Sequence, residues 1–323
     1  MPESLFSVII PTYNRAESLE KTLLCILNQT YQRFEIIIID DGGNDNSKAM
    51  VDELNDDRLK YSWQENQGPL IARYFGAKKA SSPWIAFCDS DDLWQPEYLM
   101  ECKIALESTG AKLCFGDYQV EGENEPRLKI LNREGFFAKS TINDAENFKI
   151  LDAKLFYKTL MVQQPLMISA FVISRDYYNS IGGIDPDLNV IGSEDAHLTQ
   201  RAVGNTEHVV FLKRNLVQLG RGTDNVSASY IRNLEGGLEI LNDISNRQLV
   251  KPILLGPTKD SALRHKLELA KQTYWHGQYK KSAKHLFSML NSPRYYLIVS
   301  FIFFKIITKG VVCFVARRIN KKN

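Results

Sequence analysis

Glu35 is followed by four consecutive isoleucines, and that run ends abruptly in Asp40-Asp41-Gly42-Gly43. Such an unbroken apolar, β-branched run has no polar face, so it suits a strand buried on both sides, as in a parallel sheet covered by helices. The Asp-Gly turn closes the strand and leaves two carboxylates at its end. A second run of this kind, Trp84-Ile85-Ala86-Phe87-Cys88, ends in Asp89-Ser90-Asp91-Asp92. Ligands of open α/β sheets bind outside the carboxyl ends of the strands, so both acidic clusters fall where chemistry is expected.

The surrounding chain alternates strand and helix patterns, in the order of an α/β sheet. Ser7 to Ile10 reads as a strand. Asn14 and Glu17 have the spacing of a capping box, and Leu19, Leu23, Ile26 and Leu27 recur at helical intervals. Gly68 to Ala80 reads as a helix, and Leu113 to Val120 and Ala170 to Ser174 as strands. Between these last two, Glu121 to Gln164 is less regular, acidic and aromatic, a candidate acceptor-binding region or lid. A Gly182-Gly183-Ile184-Asp185 turn precedes Glu194-Asp195, which open a predicted helix carrying Leu198, Arg201 and Ala202. From Tyr230 the chain becomes helical, and Leu267, Ala270, Tyr274, Gly277, Tyr279, Ala283 and Leu286 have the pattern of a helical hairpin. The expected organisation is therefore a domain over 1–229 and a helical region over 230–323.

With 323 residues, 44% of them hydrophobic and 24% charged, the chain has the makeup of an ordinary globular protein of one large domain with an appendage, or of two domains. Its five cysteines, Cys25, Cys88, Cys102, Cys114 and Cys313, form no CxxC pair and mostly lie in apolar runs. They are expected to be reduced and buried, which implies a reducing compartment. No secretory leader is visible ahead of the first strand. The net charge of +2 hides an asymmetry: eleven of the 40 basic residues follow Glu268 and no acidic residue does, which leaves −9 on the rest. A basic tail on an acidic body points to an anionic partner such as a phospholipid surface.

Each acidic cluster has two readings. Asp89 and Asp91, two apart in a turn, can face one cavity and hold a hard cation such as Mg²⁺, which needs only one or two carboxylates besides substrate phosphates. Alternatively Asp92 caps a helix beginning near Pro96 or bonds to turn amides. Asp41 can accept the imide N–H of uracil or serve the turn alone. Tyr13 offers a ring for a base or fills an apolar position, and Arg73 neutralises a carboxylate or diphosphate or is a solvated helix charge. Glu194-Asp195 can supply a general base or complement a helix N-terminus. The first strand runs into PTYNRAE with no G-x-G-x-x-G, and no Walker-type G-x-x-x-x-G-K-[ST] is present, which argues against a dinucleotide oxidoreductase and a P-loop NTPase.

Taken together, SVIIPTYNRAESLEKTLLCILNQTYQRFEIIIIDDGGNDNS, ENQGPLIARYFGAKKA, WIAFCDSDDLWQPEYL and GGIDPDLNVIGSEDAHLTQR resemble, in order, the family-2 glycosyltransferases of GT-A fold over roughly residues 5 to 230. The resemblance implies an α/β fold, a Rossmann-like mixed sheet flanked by helices, with a C-terminal helical extension. It implies that Pro11, Tyr13 and Asp41 hold the nucleoside, that Arg73, Asp89 and Ser90 line the nucleotide pocket, and that Asp91, with Asp89, binds Mn²⁺ or Mg²⁺. Asp195 matches the catalytic base, with Glu194 and Trp94 near donor sugar or acceptor. The implied activity is inverting transfer from a nucleotide-sugar, commonly a UDP-sugar, to a glycan or lipid-linked glycan in cell-surface polysaccharide synthesis. The alternative is a non-catalytic sugar-nucleotide-binding or scaffold protein on the same fold. Where many relatives carry a His before an Asn-x-Ser segment, this chain has Gly222, and Arg221 is the candidate replacement at the pyrophosphate.

Tyr295 to Val315 is nearly continuous in apolar residues, but Lys305 and Lys309 interrupt it. A central Lys costs roughly 2.5 to 3.5 kcal/mol on insertion, which disfavours a spanning helix. The tail from about 294 to 323 is expected to lie on an anionic membrane surface, with packing on the protein itself or on a second copy as the alternative. The expected place of work is cytoplasmic, peripheral on the inner face of the cytoplasmic membrane, with no nucleic-acid partner.

Overall fold

The computed structural model describes residues 5–188, 193–221 and 230–289. Two compact units are present, one from the described parts of Met1–Asn189, Glu194–Asn225 and Leu249–Leu254, the other from those of Val190–Ser193, Val226–Gln248 and Leu255–Asn323.

The first unit begins with β1 (Phe6–Thr12), α1 (Ala16–Leu27), β2 (Phe34–Asp41), α2 (Ser47–Glu53), β3 (Leu59–Gln64), α3 (Pro69–Lys79) and β4 (Trp84–Phe87). A short β5 (Leu93–Trp94), α4 (Tyr98–Thr109), β6 (Leu113–Val120), α5 (Arg127–Arg133), β7 (Thr141–Asp144), β8 (Phe148–Asp152) and α6 (Ala153–Leu160) follow. The unit continues through β9 (Phe171–Ser174), α7 (Arg175–Ser180), α8 (Glu194–Asn205) and β10 (His208–Leu219). Among the described residues ten strands form one sheet in the order β3-β2-β1-β4-β9-β6-β10-β8-β7, with β5 on β10. Strands β1 to β4 are mutually parallel, β9 is antiparallel to both its neighbours, and β6 and β10 are again parallel. The expected mixed sheet flanked by helices is borne out.

The isoleucine run behaves as its composition requires, since all eight residues of β2 are buried. The chain runs outward from β1 to β2 and β3, then returns through α3 to β4 on the other side of β1. The strand order therefore reverses at β1, and the crevice lies at its carboxyl end. β4 pairs with β1 only as far as Ile9, so Pro11, which has no N–H to give, sits where that edge of β1 is open. Helix α3 lies close against the sheet because Gly76 has no side chain: a Cβ there would stand 2.4 Å from Cγ2 of Ile9.

Three expectations change. The capping box does not form: α1 starts at Ala16 behind Arg15 with no side-chain cap, while Asn14, at φ 50°, accepts the Asn44 N–H on Oδ1 at 2.8 Å. The stretch after Glu121 is more regular than its sequence suggests. It supplies α5, α6 and the β7–β8 hairpin, which extends the sheet from β10. Its phenylalanines anchor it, with Phe137 stacked on Phe211 at 4.5 Å and Phe156 on Phe115 at 5.3 Å. Finally, Asp92 caps no helix, since α4 begins behind Glu97.

Glu35, at the amino end of β2, is buried among donors. It accepts from Ser7 Oγ at 2.5 Å and from Ser81 N and Oγ at 2.8 and 2.7 Å, and it pairs with Lys60. Burial alone would raise its pKa, but Lys60 and the serine donors outweigh it and hold the carboxyl down at about 2. The stabilisation this gives is complete above the ordinary value of 4.5 and is lost as pH falls through about 2. Glu35→Ala is expected to cost about 1.5 to 3 kcal/mol at pH 7 and less below pH 3, measured by urea melts at both pH values.

The second unit contains α9 (Tyr230–Asn246), α10 (Leu255–Trp275) and α11 (Tyr279–Phe287). Leu267, Ala270, Leu286 and Met289 form its core with Tyr274 and Tyr279 packed against them, and Gly277 turns the chain at φ 74°. The predicted hairpin is present. All four described cysteines are free, and burial pushes the Cys25 thiol up to about 11. Among the described residues no helix is long and apolar enough to cross a membrane. Gly222, Cys313 and the apolar tail lie outside the described residues.

Candidate active site

At the end of β2 the two aspartates brace the turn. Asp41 accepts from Gln64 Nε2 at 2.7 Å, Gln67 N at 2.9 Å and Gly68 N at 2.7 Å. It thereby ties β2 to the start of α3, the helix that carries Arg73. Asp40 accepts the Gly43 N–H at 2.8 Å and the Tyr61 hydroxyl. Both glycines are needed: a Cβ on Gly42, at φ 88°, would meet Asn66 N at 2.8 Å, and one on Gly43 would meet Asp40 Oδ1 at 2.6 Å. Just past β1, Tyr13 is half exposed, whereas Pro11 is buried in the strand.

The second cluster is held from several sides. The Asp89 N–H donates to Ser169 Oγ at 3.0 Å, and the Asp89 carboxylate meets Arg73 Nη2 at 2.5 Å. Asp91 is paired with Arg15 Nη1 at 2.8 Å. Asp92 is buried and accepts the Gly220 N–H on Oδ1 at 2.8 Å, with its carbonyl receiving Thr22 Oγ1 at 3.0 Å. Gly220 is pressed so close that a Cβ would stand 2.3 Å from the Asp91 carbonyl oxygen. Burial is the first cause raising the pKa of both Asp91 and Asp92, and Asp89 raises each further. Three carboxyls in four residues, two of them pushed toward protonation, form an oxygen-only donor set in which Arg73 and Arg15 already meet Asp89 and Asp91. Among the described residues no group of three or more His, Cys, Asp or Glu is arranged to hold a metal. The set suits a hard ion that takes one or two carboxylates and completes its shell with phosphate and water. Ser90 is buried beside them, as is Trp94, whose indole N–H goes to the Ser169 carbonyl at 2.8 Å and whose ring packs on Tyr98 at 4.6 Å. Trp94 is thus held by both ends of its indole and is 3% exposed.

Arg73 joins the second cluster to α8. It is buried, and besides Asp89 it reaches Glu194 with Nη1 at 3.7 Å. Burial works against its charge, but Asp89, Glu194 and Asp195 together hold it protonated. Asp195 is pushed up to about 7, first by burial and then by Glu194, with Arg73 opposing. The GGID turn sets α8 in place: Arg201 donates to the Ile181 carbonyl at 2.8 Å, to the Gly183 carbonyl, and to its own helix at His197 at 3.1 Å. Gly183, at φ 55°, has no room for a side chain, since a Cβ would fall 2.5 Å from the Tyr178 ring. Arg73, Asp89, Glu194 and Asp195, dispersed along the sequence, thus share one electrostatic cluster. Arg221 is exposed, 3.3 Å from Glu123. Sequence reading missed Arg15, Ser169 and Gly220. Of these only Arg15 carries a local signal, as a basic residue just beyond the carboxyl end of β1.

Residues 7–169 match the model of glycosyl transferase family 2. The chain belongs to that family. An uncharacterized glycosyltransferase of Rickettsia conorii is 44% identical over 202 residues, which is 58% of this chain and 33% of the relative. The UDP-Glc:alpha-D-GlcNAc-diphosphoundecaprenol beta-1,3-glucosyltransferase WfgD of Escherichia coli is 33% identical over 126 residues, 38% of this chain and 49% of the relative. Among solved structures, S. aureus TarS 1-349 with UDP-GlcNAc superposes with TM-score 0.64 at 17% identity, over 87% of this chain and 79% of that one. The mannosyltransferase of Pyrobaculum calidifontis with GDP-Man and Mn²⁺ gives 0.57 at 15% identity, over 96% and 81%. These structural likenesses support the GT-A fold. The chain spans about a third or less of the length of several of its curated relatives.

Proposed function

We propose that this family-2 chain transfers a sugar from a nucleotide-sugar, a UDP-sugar in the first instance, to a hydroxyl of a glycan or lipid-linked glycan, with inversion. The observation that carries the reading is the buried Arg73, which draws Asp89 from the end of β4 and Glu194 from the start of α8 into one site beside Asp195. A buried carboxyl raised to about 7 beside a buried arginine and a second carboxylate supports a general base over a scaffold.

In the reaction, the nucleoside is received at the reversal of strand order, against Tyr13, with Asp41 bracing the turn and Arg73, Asp89 and Ser90 lining the pocket. Asp195 takes the proton of the acceptor hydroxyl as its oxygen bonds to the anomeric carbon. The bond from that carbon to the diphosphate oxygen breaks, and its electron pair leaves with the diphosphate. Asp91, with Asp89, is the place for Mn²⁺ or Mg²⁺, which when bound supplies positive charge to the departing diphosphate. The mannosyltransferase structure with Mn²⁺ supports that assignment by analogy of fold. Glu194 stands beside the donor sugar or acceptor, and Arg221 remains a candidate for the pyrophosphate. The E. coli relative, which uses UDP-Glc on a diphosphoundecaprenol-linked sugar to make a β linkage, supports the donor, acceptor class and inversion.

The reading is tested by a thermal-shift screen of nucleotide-sugars with Mn²⁺, followed by NMR of the product. A ligand that binds only the folded state raises the melting point. An α-linked donor is expected to give a β-linked product; an α product overturns inversion, and failure of every nucleotide-sugar to shift the melt overturns the donor class.

The basic, apolar segment after residue 290 is the proposed contact with an anionic membrane on the cytoplasmic face, in keeping with a lipid-linked acceptor. Full-length protein is expected to sediment with phosphatidylserine vesicles, and a chain ending at Ser292 to lose that binding. Equal, negligible sedimentation of both defeats the assignment.

A further inference from the structure

Two arginines meet the acids that follow β4, and they are held differently. Arg73 is fixed: its side chain is 7% exposed and is shared between Asp89 at 2.5 Å and Glu194 at 3.7 Å. The Arg15 side chain is 29% exposed and pairs with Asp91 at 2.8 Å. The backbone of Arg15 is pinned at the start of α1, where its carbonyl accepts the Leu19 N–H at 2.9 Å and the Ser18 hydroxyl at 3.2 Å. The part left able to move is therefore the guanidinium on its long stem. An open cavity of about 420 Å³ adjoins it, lined by Arg15 itself with Asn14, Glu17, Lys21 and Asp45 among others. The two acids in that lining give a displaced guanidinium a place to turn to.

Each acid assigned to the cation is thus already met by a positive group, Asp89 by Arg73 and Asp91 by Arg15. A divalent ion arriving alone must either break the Asp91 pair or sit beside a guanidinium of like sign. Salt screens that repulsion poorly, because the Asp91 side chain is only 16% exposed. The charges of metal and phosphate both belong in the count. A nucleoside diphosphate reverses the balance, since its oxygens bring enough negative charge to hold the ion and the arginine together.

We propose that Arg15 is a displaceable counter-ion that stands in for the metal at Asp91, so that the cation enters with the nucleotide diphosphate and not before it. The proposal rests on the metal site assigned to Asp91 and Asp89, and goes beyond it by naming the residue that sets the order of binding. Arg15 acts through Asp91 and is a positioning residue. Between turnovers it keeps the Asp91 carboxylate compensated, and it disfavours a protein loaded with metal but lacking its nucleotide.

The experiment uses the full chain with Arg15→Gln, which removes the charge and keeps most of the length, and Arg15→Lys, which keeps the charge. Thermal melts establish that each variant is folded. Electron paramagnetic resonance counts free Mn²⁺ through a titration at fixed ionic strength, with and without saturating UDP. The wild type is expected to bind Mn²⁺ more tightly with UDP than without it, a comparison that needs no variant. Arg15→Gln is expected to bind Mn²⁺ about 5-fold or more tightly than the wild type when UDP is absent, and Arg15→Lys to stay near the wild type. The tightening produced by UDP then shrinks in Arg15→Gln, and by reciprocity so does the tightening of UDP binding by Mn²⁺, read by calorimetry. Adding Asp91→Asn to Arg15→Gln should abolish the gain, which a general change of surface charge would not do. A folded Arg15→Gln with no gain, or a wild type that binds Mn²⁺ equally with and without UDP, overturns the role of Arg15 and leaves the metal site standing. A gain that persists in the double variant overturns action through Asp91. Absence of Mn²⁺ binding in every form, with UDP and without, overturns the metal site and this proposal together.

Discussion

Asp195→Asn is expected to lower kcat by about 10²-fold or more while donor affinity changes little, because the amide keeps the shape of the side chain and cannot take a proton. The wild-type pH profile gives an independent check. A base works as the carboxylate, and burial beside Glu194 pushes Asp195 up to about 7. The rate should therefore rise through neutrality and fall about tenfold for each pH unit below it. An unperturbed aspartate would place that limb near pH 4. In Asp195→Asn the limb should vanish from the residual rate. Near-normal transfer by this variant would move the role elsewhere, with Glu194 the next group to examine.

Asp91→Asn is expected to abolish divalent-dependent turnover. An amide oxygen is a poor substitute for a carboxylate on a hard cation, and it also releases Arg15, which pairs with Asp91 at 2.8 Å. The fold should survive, since Asp92 and not Asp91 makes the bond that secures this loop to Gly220. Turnover assayed against Mn²⁺ and Mg²⁺ concentration, with a melting curve as control, decides the matter. Wild-type activity undiminished by EDTA would remove the metal from the mechanism. Arg15→Ala separates the two losses, because it frees the Asp91 carboxylate while leaving its charge in place.

Strands whose burial is complete on both faces were legible, and partly buried ones were not. The isoleucine run of β2 and the Trp84 to Phe87 run of β4 admit few other readings. β3 is an edge strand whose residues are only partly buried or exposed, so LKYSWQ carries little periodic signal. β10 breaks its own pattern with Lys213, Arg214 and Asn215 at the place where its register against β6 shifts. β7 and β8 are four and five residues long, too short for alternation to stand out. The acidic site residues were visible because each follows a strand or opens a helix. The partners of those residues were not. Nothing near Ser169 or Gly220 shows that they bind Asp89 and Asp92, since those contacts arise only when distant strands lie side by side. Asp117 is a similar case: it accepts the Leu128 and Lys129 N–H groups at 2.8 and 2.9 Å, and burial pushes it up to about 6. Its anchoring of α5 has no local signature.

The bond between Asp92 and Gly220 spans 128 positions of the chain. Contacts of that reach form only after the loop between them has been closed against its entropy. An emerging polypeptide can therefore complete β1 to β4, and so the reversal of strand order at β1, well before β10 arrives to fix the acidic loop. The acidic loop is thus a late part of the crevice to acquire its geometry, and a chain released before residue 220 keeps β1 to β4 without the anchor that sets its acids.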